Sequence, residues 1–309
     1  MEEREVTLGV DFGTSNTTVF YWDKGKVESI QINKDKTLLP SAISYGKDGN
    51  YDCGSKAVNS AIKSPLHVRS VKRVLGCDYS SLNGKDLANG LYGCQLVEGQ
   101  NNSCVFVNPK SDGSIRKTPV EVVTDIFKYI KKAAEEKTTR TFSNITLSFP
   151  PTFRVNQKAA LREAARNAGF TIKGMITEPT AAGVHYRMKN DIKNRDVVLV
   201  FDFGGGTLDL SLMLYENDSF RVFANGGNSH LGGNDIDQRI LEYVEEYYQR
   251  ITDEKLFDDN LDDRMKIKQK RKLLEEIEGK KCVLQDSEER SASVEISIDC
   301  VKPDAEGRY

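Results

Sequence analysis

Apolar and polar residues alternate over short segments in two parts of the chain, and this period of two predicts β-strands. The first group is Val6–Val10, Thr17–Trp22 and Val27–Ile32. The second group is Val197–Phe203, Leu208–Tyr215 and Ser219–Ala224. Glycine-containing turns separate the strands within each group, so the chain is predicted to contain two similar meanders. The almost unbroken apolar run of the first strand in the second group is typical of a central strand.

Between the two meanders, apolar residues recur every three or four positions, which predicts amphipathic helices. One helix is predicted to begin at Pro119, where the fixed φ of proline suits a first helical position. A second covers Val155–Ala168 and ends at Gly169. The strand Ile145–Phe149 lies between them and stops at Pro150.

The rest of the chain is less regular. Residues 38–118 mix glycine, asparagine and serine with short apolar stretches, which predicts a subdomain inserted into the first half. After the second meander, one helix is predicted from about Asn234 and another around Met265–Ile277. Ala292–Ile298 alternates again and is predicted to be a strand. We therefore expect lobe I over residues 1–190, and lobe II over residues 191–309 with a helical subdomain at about 231–309.

Composition and charge exclude several classes of protein. The 309 residues are 38% hydrophobic and 29% charged, and the formal net charge is −2. Such a chain offers no overall positive field for nucleic acid or anionic lipid. No apolar run approaches the roughly 20 residues that cross a bilayer, and the first residues lack an apolar signal core. We expect a cytoplasmic protein without nucleic-acid or membrane partners.

The six cysteines and three histidines show no zinc-binding spacing. No C-x-x-C pair occurs, and the histidines lie far apart in the sequence. Free thiols are the expected state, because paired disulfides require an oxidising compartment.

The most informative pattern is a repeated loop. Residues 9–15 and 200–207 both place an apolar residue, then Asp-Phe-Gly, between two strands. Glycines in a tight turn let backbone N–H groups approach an anion, so each loop can hold a phosphate. Asp11 and Asp202 occupy matching positions, and two carboxylates directed at one cleft are tolerated when a cation such as Mg²⁺ neutralises them. The repeat predicts binding of Mg²⁺ with a nucleoside polyphosphate.

Other phosphate-binding signatures are missing from the sequence. No G-x-x-x-x-G-K-[ST] motif occurs, which excludes a P-loop protein. Protein kinases also contain Asp-Phe-Gly, but they need an H-R-D catalytic loop upstream, and none is present.

Five sequence blocks, in order along the chain, resemble the signatures of the seventy-kilodalton heat-shock chaperones, the DnaK-type family. They are GVDFGTSN at 9–16, KRVLG at 72–76, EPTAAG at 178–183, DFGGGTLD at 202–209 and HLGGNDID at 230–237. The resemblance implies an α/β fold, in which duplicated ribonuclease-H-like lobes of an actin-like ATPase surround a nucleotide cleft. Actin and the sugar kinases share the phosphate loops but lack the EPTAA and HLGG blocks.

The resemblance also implies a role for individual residues. Those expected to hold the nucleotide are Gly13, Thr14, Ser15, Asn16, Gly204, Gly205, Gly206, Thr207, Glu278 and Lys281. Mg²⁺ would be held by Asp11 and Asp202. Lys72 matches the family's catalytic lysine, while Glu178, Thr207 and Asp209 would orient the attacking water or accept its proton. Phosphoryl transfer needs mainly positioning and charge neutralisation, which these residue types can supply.

The expected function is ATP binding and slow Mg²⁺-dependent hydrolysis to ADP in a stress-response chaperone. In the family the ATPase domain continues beyond the point that residue 309 matches, so we expect an incomplete lobe II. The resemblance further implies a co-chaperone, a nucleotide-exchange factor, and unfolded peptide bound only through a domain absent from this chain. Two alternatives stay open: a degenerate nucleotide sensor or interaction module without hydrolysis, and an actin-like filament protein.

Overall fold

A computed structural model describes residues 6–33, 36–61, 63–84, 86–87, 91–108, 115–260, 263–285, 292–299 and 301. The chain divides into two compact units: the first comprises Met1–Gly204 with Leu208–Asn228, and the second Gly205–Thr207 with Ser229–Tyr309. The predicted division at residue 190 stays a prediction. In the described ranges no helix has both the length and the apolar character needed to span a membrane.

The described residues of the first unit form β-strands and four α-helices. The strands are β1 (Thr7–Phe12), β2 (Asn16–Asp23), β3 (Lys26–Ser29), β4 (Leu39–Pro40), β5 (Ala42–Tyr45), β6 (Tyr51–Cys53), β7 (Leu66–Arg69), β8 (Gln95–Glu98), β9 (Cys104–Val107), β10 (Arg116–Lys117), β11 (Asn144–Phe149), β12 (Thr171–Thr177), β13 (Val197–Phe203), β14 (Leu208–Glu216) and β15 (Ser219–Asn228). The helices are α1 (Ser55–Ser60), α2 (Pro119–Thr138), α3 (Val155–Asn167) and α4 (Glu178–Lys189). Both predicted meanders and the predicted helices at Pro119 and Val155 are confirmed, whereas β12 and α4 are elements that the periodicity did not predict.

The main sheet has the order β12-β11-β1-β2-β3, with β4 paired to β2. Strands β1, β11 and β12 are parallel, and β2 and β3 complete an antiparallel meander. The helices α2 and α3 contribute Phe127, Ile130 and Leu161 to the same core as Leu8 and Leu147 of the sheet. Because the three parallel strands run in one direction, their carboxyl ends meet at one edge of the sheet.

The start of α2 follows directly from its sequence. The Thr118 hydroxyl accepts a hydrogen bond from the backbone N–H of Glu121, and the Glu121 carboxylate accepts one from the Thr118 N–H at 2.7 Å. Pro119 fits this first turn because the N–H that it lacks has no partner within a helix. This capping box fixes where α2 begins against the sheet.

The inserted region forms two small antiparallel sheets, with strand orders β6-β5-β7 and β10-β9-β8. Along the chain, after β7 and before β8, residues Val71–Val74 form a 3₁₀ turn. Val71 and Val74 are buried in the core of the unit. Because its neighbours in the turn are packed in the core, the backbone at Lys72 is fixed in position.

The second meander forms a separate three-stranded sheet in the order β13-β14-β15. The predicted central position of its first strand is wrong for the described residues, since β13 pairs only with β14 and lies at the edge. Alternate side chains of β13 are exposed; these are Val197, Leu199, Phe201 and Phe203. An unbroken apolar run does not distinguish a strand with two covered faces from an edge strand with one bare apolar face.

The second unit contains the helices α5 (Gly233–Thr252) and α6 (Asp263–Gln285), both of which were predicted. Its core is built from Leu241, Leu256, Phe257, Leu273, Ile277 and Val301. The predicted strand Ala292–Ile298 is wrong, because residues 292–299 form no strand in the structure. Its alternation has another cause: Ile296 and Ile298 pack on the helical core, while Glu295 and Ser297 face solvent.

Candidate functional site

Asp11 lies at the carboxyl end of β1, where the parallel pairing with β11 gives it a polar neighbour. Val10 is paired with Leu147, so the next residues along the two strands, Asp11 and Ser148, lie side by side. The buried Ser148 hydroxyl donates a hydrogen bond to Asp11 Oδ1 at 2.6 Å. This bond leaves Asp11 exposed but orients its carboxylate.

The Gly13–Asn16 loop between β1 and β2 is tight and is braced from outside. A Cβ on Gly13 would lie 2.2 Å from the backbone oxygen of Asn16, which no side chain can tolerate. Ser41 holds the loop from the next segment: its hydroxyl donates to the Gly13 carbonyl at 2.8 Å, and its N–H donates to the Ser15 carbonyl at 2.8 Å. The loop has the compact backbone that an anion site requires.

Lys72 and Glu178 form a buried ion pair. Lys72 Nζ lies 2.6 Å from Glu178 Oε1, and both side chains are mostly shielded from solvent. Glu178 is the first residue of α4, where a carboxylate is favoured by the helix dipole, and the Lys72 ammonium also lies 5.9 Å from the Phe153 ring centroid. The 3₁₀ turn and α4 thus bring together two residues that are 106 positions apart.

Two further carboxylates lie opposite each other on β13 and β14. The register pairs Asp202 directly with Asp209, which is buried. Such cross-strand neighbours have Cβ atoms about 5 Å apart, so like charges repel. Burial raises the pKa of Asp202, and Asp11 and Asp209 raise it further, while Lys72 lowers it. Burial also raises the pKa of Glu178, with Lys72 opposing and Asp11 and Asp202 adding to the rise.

The structure therefore brings Asp11, Lys72, Glu178, Asp202 and Asp209 together in one acidic cluster within the first unit. Four carboxylates share one ammonium group, so negative charge is in excess. That excess is the electrostatic signature of a site that a cation completes.

The raised pKa values predict a pH-dependent stability. A carboxyl group whose pKa is higher in the folded state contributes stability below its unfolded pKa and loses it as the pH rises through the folded pKa. We expect Asp202→Asn to raise the thermal unfolding midpoint of the nucleotide-free protein at pH 7 by about 2 °C, the order for a change below 1 kcal/mol in a domain of this size. The gain should shrink as the pH falls towards about 4, where the unfolded carboxyl is about half protonated.

Asp218→Asn is the matched control, because hydrogen bonds from Tyr215 and Arg187 lower the pKa of Asp218. This substitution should not raise the midpoint at neutral pH. Differential scanning calorimetry from pH 4 to 7 measures both variants. An Asp202→Asn midpoint at or below that of the wild type at pH 7 would contradict the charge excess.

The second Asp-Phe-Gly loop continues into the second unit, where Gly205 and Gly206 pack against the start of α5. The Asn234 N–H donates to the Gly205 carbonyl at 2.8 Å. A Cβ on Gly232 would lie 2.5 Å from the Gly206 nitrogen, so this contact requires glycine at 232. The HLGG block therefore supports the loop, in which Gly206 is buried and Thr207 is half-buried.

The residues expected near the adenosine lie on α6. Glu278 is exposed, whereas Lys281 is tied to the start of α5 by an ion pair with the buried Asp237 at 2.7 Å and a hydrogen bond to the Gly233 carbonyl at 3.0 Å. Lys281 thus fixes α6 against α5. Its role toward a nucleotide stays a prediction.

The chemistry of the donor set fits Mg²⁺ held partly by other ligands. Among the described side chains, no three histidine, cysteine, aspartate or glutamate residues are grouped so that they could hold a metal ion by themselves. Mg²⁺ commonly uses one or two carboxylates and takes its other ligands from water and phosphate. Asp11 and Asp202 suit that arrangement.

Sequence reasoning missed two residues of this site, Ser41 and Ser148. Ser148 could have been found from its position, because it is the last polar residue of a strand that ends at a proline. Ser41 carries no such signal, since its role depends on the β4 pairing that brings residue 40 beside residue 16.

Comparison with known proteins gives two results. The family model described as "Hsp70 protein" matches residues 7–308. The "Chaperone protein HscA homolog" of Azotobacter vinelandii is 33% identical over 249 residues, and the "Chaperone protein DnaK" of Stenotrophomonas maltophilia is 32% identical over 250 residues. Each alignment covers 79% of this chain but only 38% of the relative, so this chain spans well under half the length of either relative.

Proposed function

Because the chain belongs to the Hsp70 family, whose actin-like ATPase fold class agrees with the one expected from the sequence, we propose that it binds ATP and hydrolyses it slowly with Mg²⁺. The observation that carries this proposal is the buried Lys72–Glu178 pair, set among Asp11, Asp202 and Asp209. A lysine without a specific role is normally exposed to solvent, whereas Lys72 is buried and paired with Glu178. The chain serves as the nucleotide-binding part of a chaperone.

Each residue of the cluster has its own role in the proposed hydrolysis. Lys72 carries the only positive charge among the five, so it offsets charge on the terminal phosphate and positions the attacking water. Glu178, which the ion pair holds in place, orients that water. Asp209 accepts its proton, and Thr207 at the end of the second loop helps to place it.

Each of the two glycine loops, Gly13–Asn16 and Gly204–Thr207, binds phosphate through its backbone N–H groups. Asp11 and Asp202 would hold Mg²⁺, which when bound would neutralise phosphate charge and orient the polyphosphate. On the adenosine side, Glu278 and Lys281 contribute from α6. The excess negative charge of the nucleotide-free cluster favours the binding of Mg²⁺.

The remaining assignments concern the whole protein. The relatives are named as chaperones and are much longer than this chain. We extend their role to this chain as a stress-response chaperone that works with a co-chaperone and a nucleotide-exchange factor. Unfolded peptide would bind to a separate domain rather than to the nucleotide-binding part, and the chain would act in the cytoplasm.

Calorimetric titration with ADP and ATP, with and without Mg²⁺, tests the binding, and single-turnover hydrolysis tests the chemistry. We expect binding that tightens with Mg²⁺ and a slow release of phosphate. Binding without hydrolysis would favour the nucleotide-sensing alternative. No binding by a chain with a folded circular dichroism spectrum would refute the proposal.

Ser148 is expected to set the Mg²⁺ dependence of nucleotide binding. Its hydroxyl orients Asp11, so Ser148→Ala removes that hydrogen bond without removing a charge. We expect the ratio of ADP affinity with Mg²⁺ to affinity in EDTA to fall about 3- to 10-fold, the size of the net contribution of one typical hydrogen bond. Affinity in EDTA should change little.

Ser148→Thr is the matched control, since it keeps a hydroxyl on Cβ and should keep the wild-type ratio. Equal ratios for wild type and Ser148→Ala would show that this hydrogen bond does not affect Mg²⁺. A fall in the EDTA affinity alone would indicate general damage to the fold.

A further inference from the structure

Two cysteines outside the proposed ATPase chemistry lie next to each other in the inserted region. Cys77 follows the 3₁₀ turn that carries Lys72, and Cys104 is the first residue of β9. An isolated antiparallel bridge pairs Asp78 with Ser103, so the adjoining residues, Cys77 and Cys104, face each other across it. The sequence separates them by 27 positions and gives no sign of this pairing.

The backbone spacing expected for this antiparallel pairing suits a covalent bond. Residues directly opposite in antiparallel pairing have Cα atoms about 4.5–5.5 Å apart, and a disulfide needs about 4.4–6.8 Å. Cys104 Sγ lies 3.5 Å from the Cys77 carbonyl oxygen, which places the thiol against the backbone of its partner. Burial raises the pKa of Cys104 to about 12, and the nearby Cys77 is the next cause of that rise.

A buried hydroxyl without a partner lies beside the two thiols. Tyr92 is 2% exposed, and its hydroxyl has no hydrogen-bond partner within the described part of the chain. Burial raises its pKa, and Cys104 and Cys77 are among the groups that raise it further. The Tyr92 ring packs on Phe106 of β9, with the ring centroids 5.5 Å apart, in the strand that Cys104 begins. A phenol O–H can donate to a sulfur that carries negative charge or oxygen.

The two thiols differ in access. Cys77 is half-buried and Cys104 is buried. Burial raises the pKa of Cys77, Asp86 and Asp78 raise it further, and Arg154 opposes this rise. Cys77 is therefore the thiol that an oxidant reaches first, and Cys104 is the one placed to react with the product.

We propose that Cys77 and Cys104 are a thiol–disulfide modification site. With hydrogen peroxide, the Cys77 thiol gives a sulfenic acid and one water; the Cys104 thiol then attacks that sulfur, which forms the S–S bond and releases a second water. Two thiols are oxidised and one peroxide is reduced. The bond fastens the segment after Lys72 to β9. The high pKa values make the pair slow to react, so it stays reduced until the oxidant is in excess.

The other described cysteines lack this arrangement. Cys53 is buried and Cys94 is half-buried, and burial raises the pKa of each thiol. Cys282 is exposed on α6, in the other unit. Cys300 lies outside the described residues.

Peptide mapping of the full chain tests the site. Wild-type protein is treated with hydrogen peroxide or diamide, the remaining thiols are alkylated, and the non-reduced digest is analysed by mass spectrometry. We expect a cross-linked pair of peptides containing Cys77 and Cys104, lighter by two hydrogen atoms than the sum of the reduced peptides. Dithiothreitol should reverse it. The unfolding midpoint should rise on oxidation, because the bond restricts the unfolded chain.

Three variants separate this site from general thiol chemistry. Cys77→Ser and Cys104→Ser should each lose the cross-link, and Cys282→Ser should form it as the wild type does. The wild-type map decides the question even when one of these variants folds poorly. Recovery of both Cys77 and Cys104 as alkylated peptides, from protein in which Cys282 is oxidised, would overturn the proposal.

Discussion

Lys72→Ala is expected to lower the single-turnover rate of ATP hydrolysis by about 100-fold or more, the usual cost of removing one preorganised charge from a transition state. Nucleotide binding should persist, because the backbone loops that hold the phosphates stay in place. Phosphate release from enzyme in excess over ATP measures the rate, and calorimetry measures the affinity.

The size of this effect follows from the charge arrangement. Lys72 is the only cation within the acidic cluster and pairs with Glu178 at 2.6 Å. Its loss leaves Glu178 buried without its counter-ion, and the pKa of Glu178 should rise further because Lys72 is the largest influence that lowers it. Both the charge on the γ-phosphate and the group that orients the water are then disturbed.

Lys117→Ala is the matched control, since Lys117 also pairs with a carboxylate, Asp125 at 3.1 Å, and also lies over an aromatic ring, Tyr45. That pair joins β10 to α2 and lies outside the acidic cluster. Lys117→Ala should hydrolyse ATP at close to the wild-type rate. Equal rates for Lys72→Ala and wild type would remove Lys72 from the mechanism.

Two residues of the acidic cluster, Asp11 and Asp202, were predicted because the sequence around them repeats, and the other three were predicted from the family resemblance. The Asp-Phe-Gly loops mark Asp11 and Asp202 twice over, and the family blocks add Lys72, Glu178 and Asp209. The sequence does not reveal the register in which the strands pair, that is, which residues of neighbouring strands lie side by side. Ser148 meets Asp11 across 137 positions only because β1 and β11 are parallel and are paired at Val10 and Leu147.

The errors in the fold have similar causes. β12 contains Gly174 and little alternation, and α4 opens with Glu-Pro-Thr rather than with an apolar stripe, so neither showed a clear period. For Ala292–Ile298 the alternation was real, but it came from packing on helices. Periodicity reports which side of a segment is covered and does not identify the element that covers it.

Gly13→Ala is expected to weaken ATP and ADP binding by at least about tenfold, or 1.4 kcal/mol. The added methyl carbon would meet the Asn16 backbone oxygen at 2.2 Å, and a backbone atom cannot move aside as a flexible side chain does. The turn must open, which breaks the bonds from Ser41 to Gly13 and Ser15 and scatters the N–H groups that would face the phosphate. Calorimetric titration with Mg²⁺-ADP measures the loss.

Gly9→Ala supplies the comparison within the same strand. A Cβ at Gly9 would lie 3.8 Å from the Phe20 backbone oxygen, an ordinary contact, so this variant should bind nucleotide as the wild type does. Circular dichroism should show the same folded spectrum for both variants, because the strain in Gly13→Ala is confined to one turn at the end of β1. If Gly13→Ala and Gly9→Ala bind Mg²⁺-ADP equally well, this loop does not hold the phosphates, and the nucleotide must depend on Gly204–Thr207 instead.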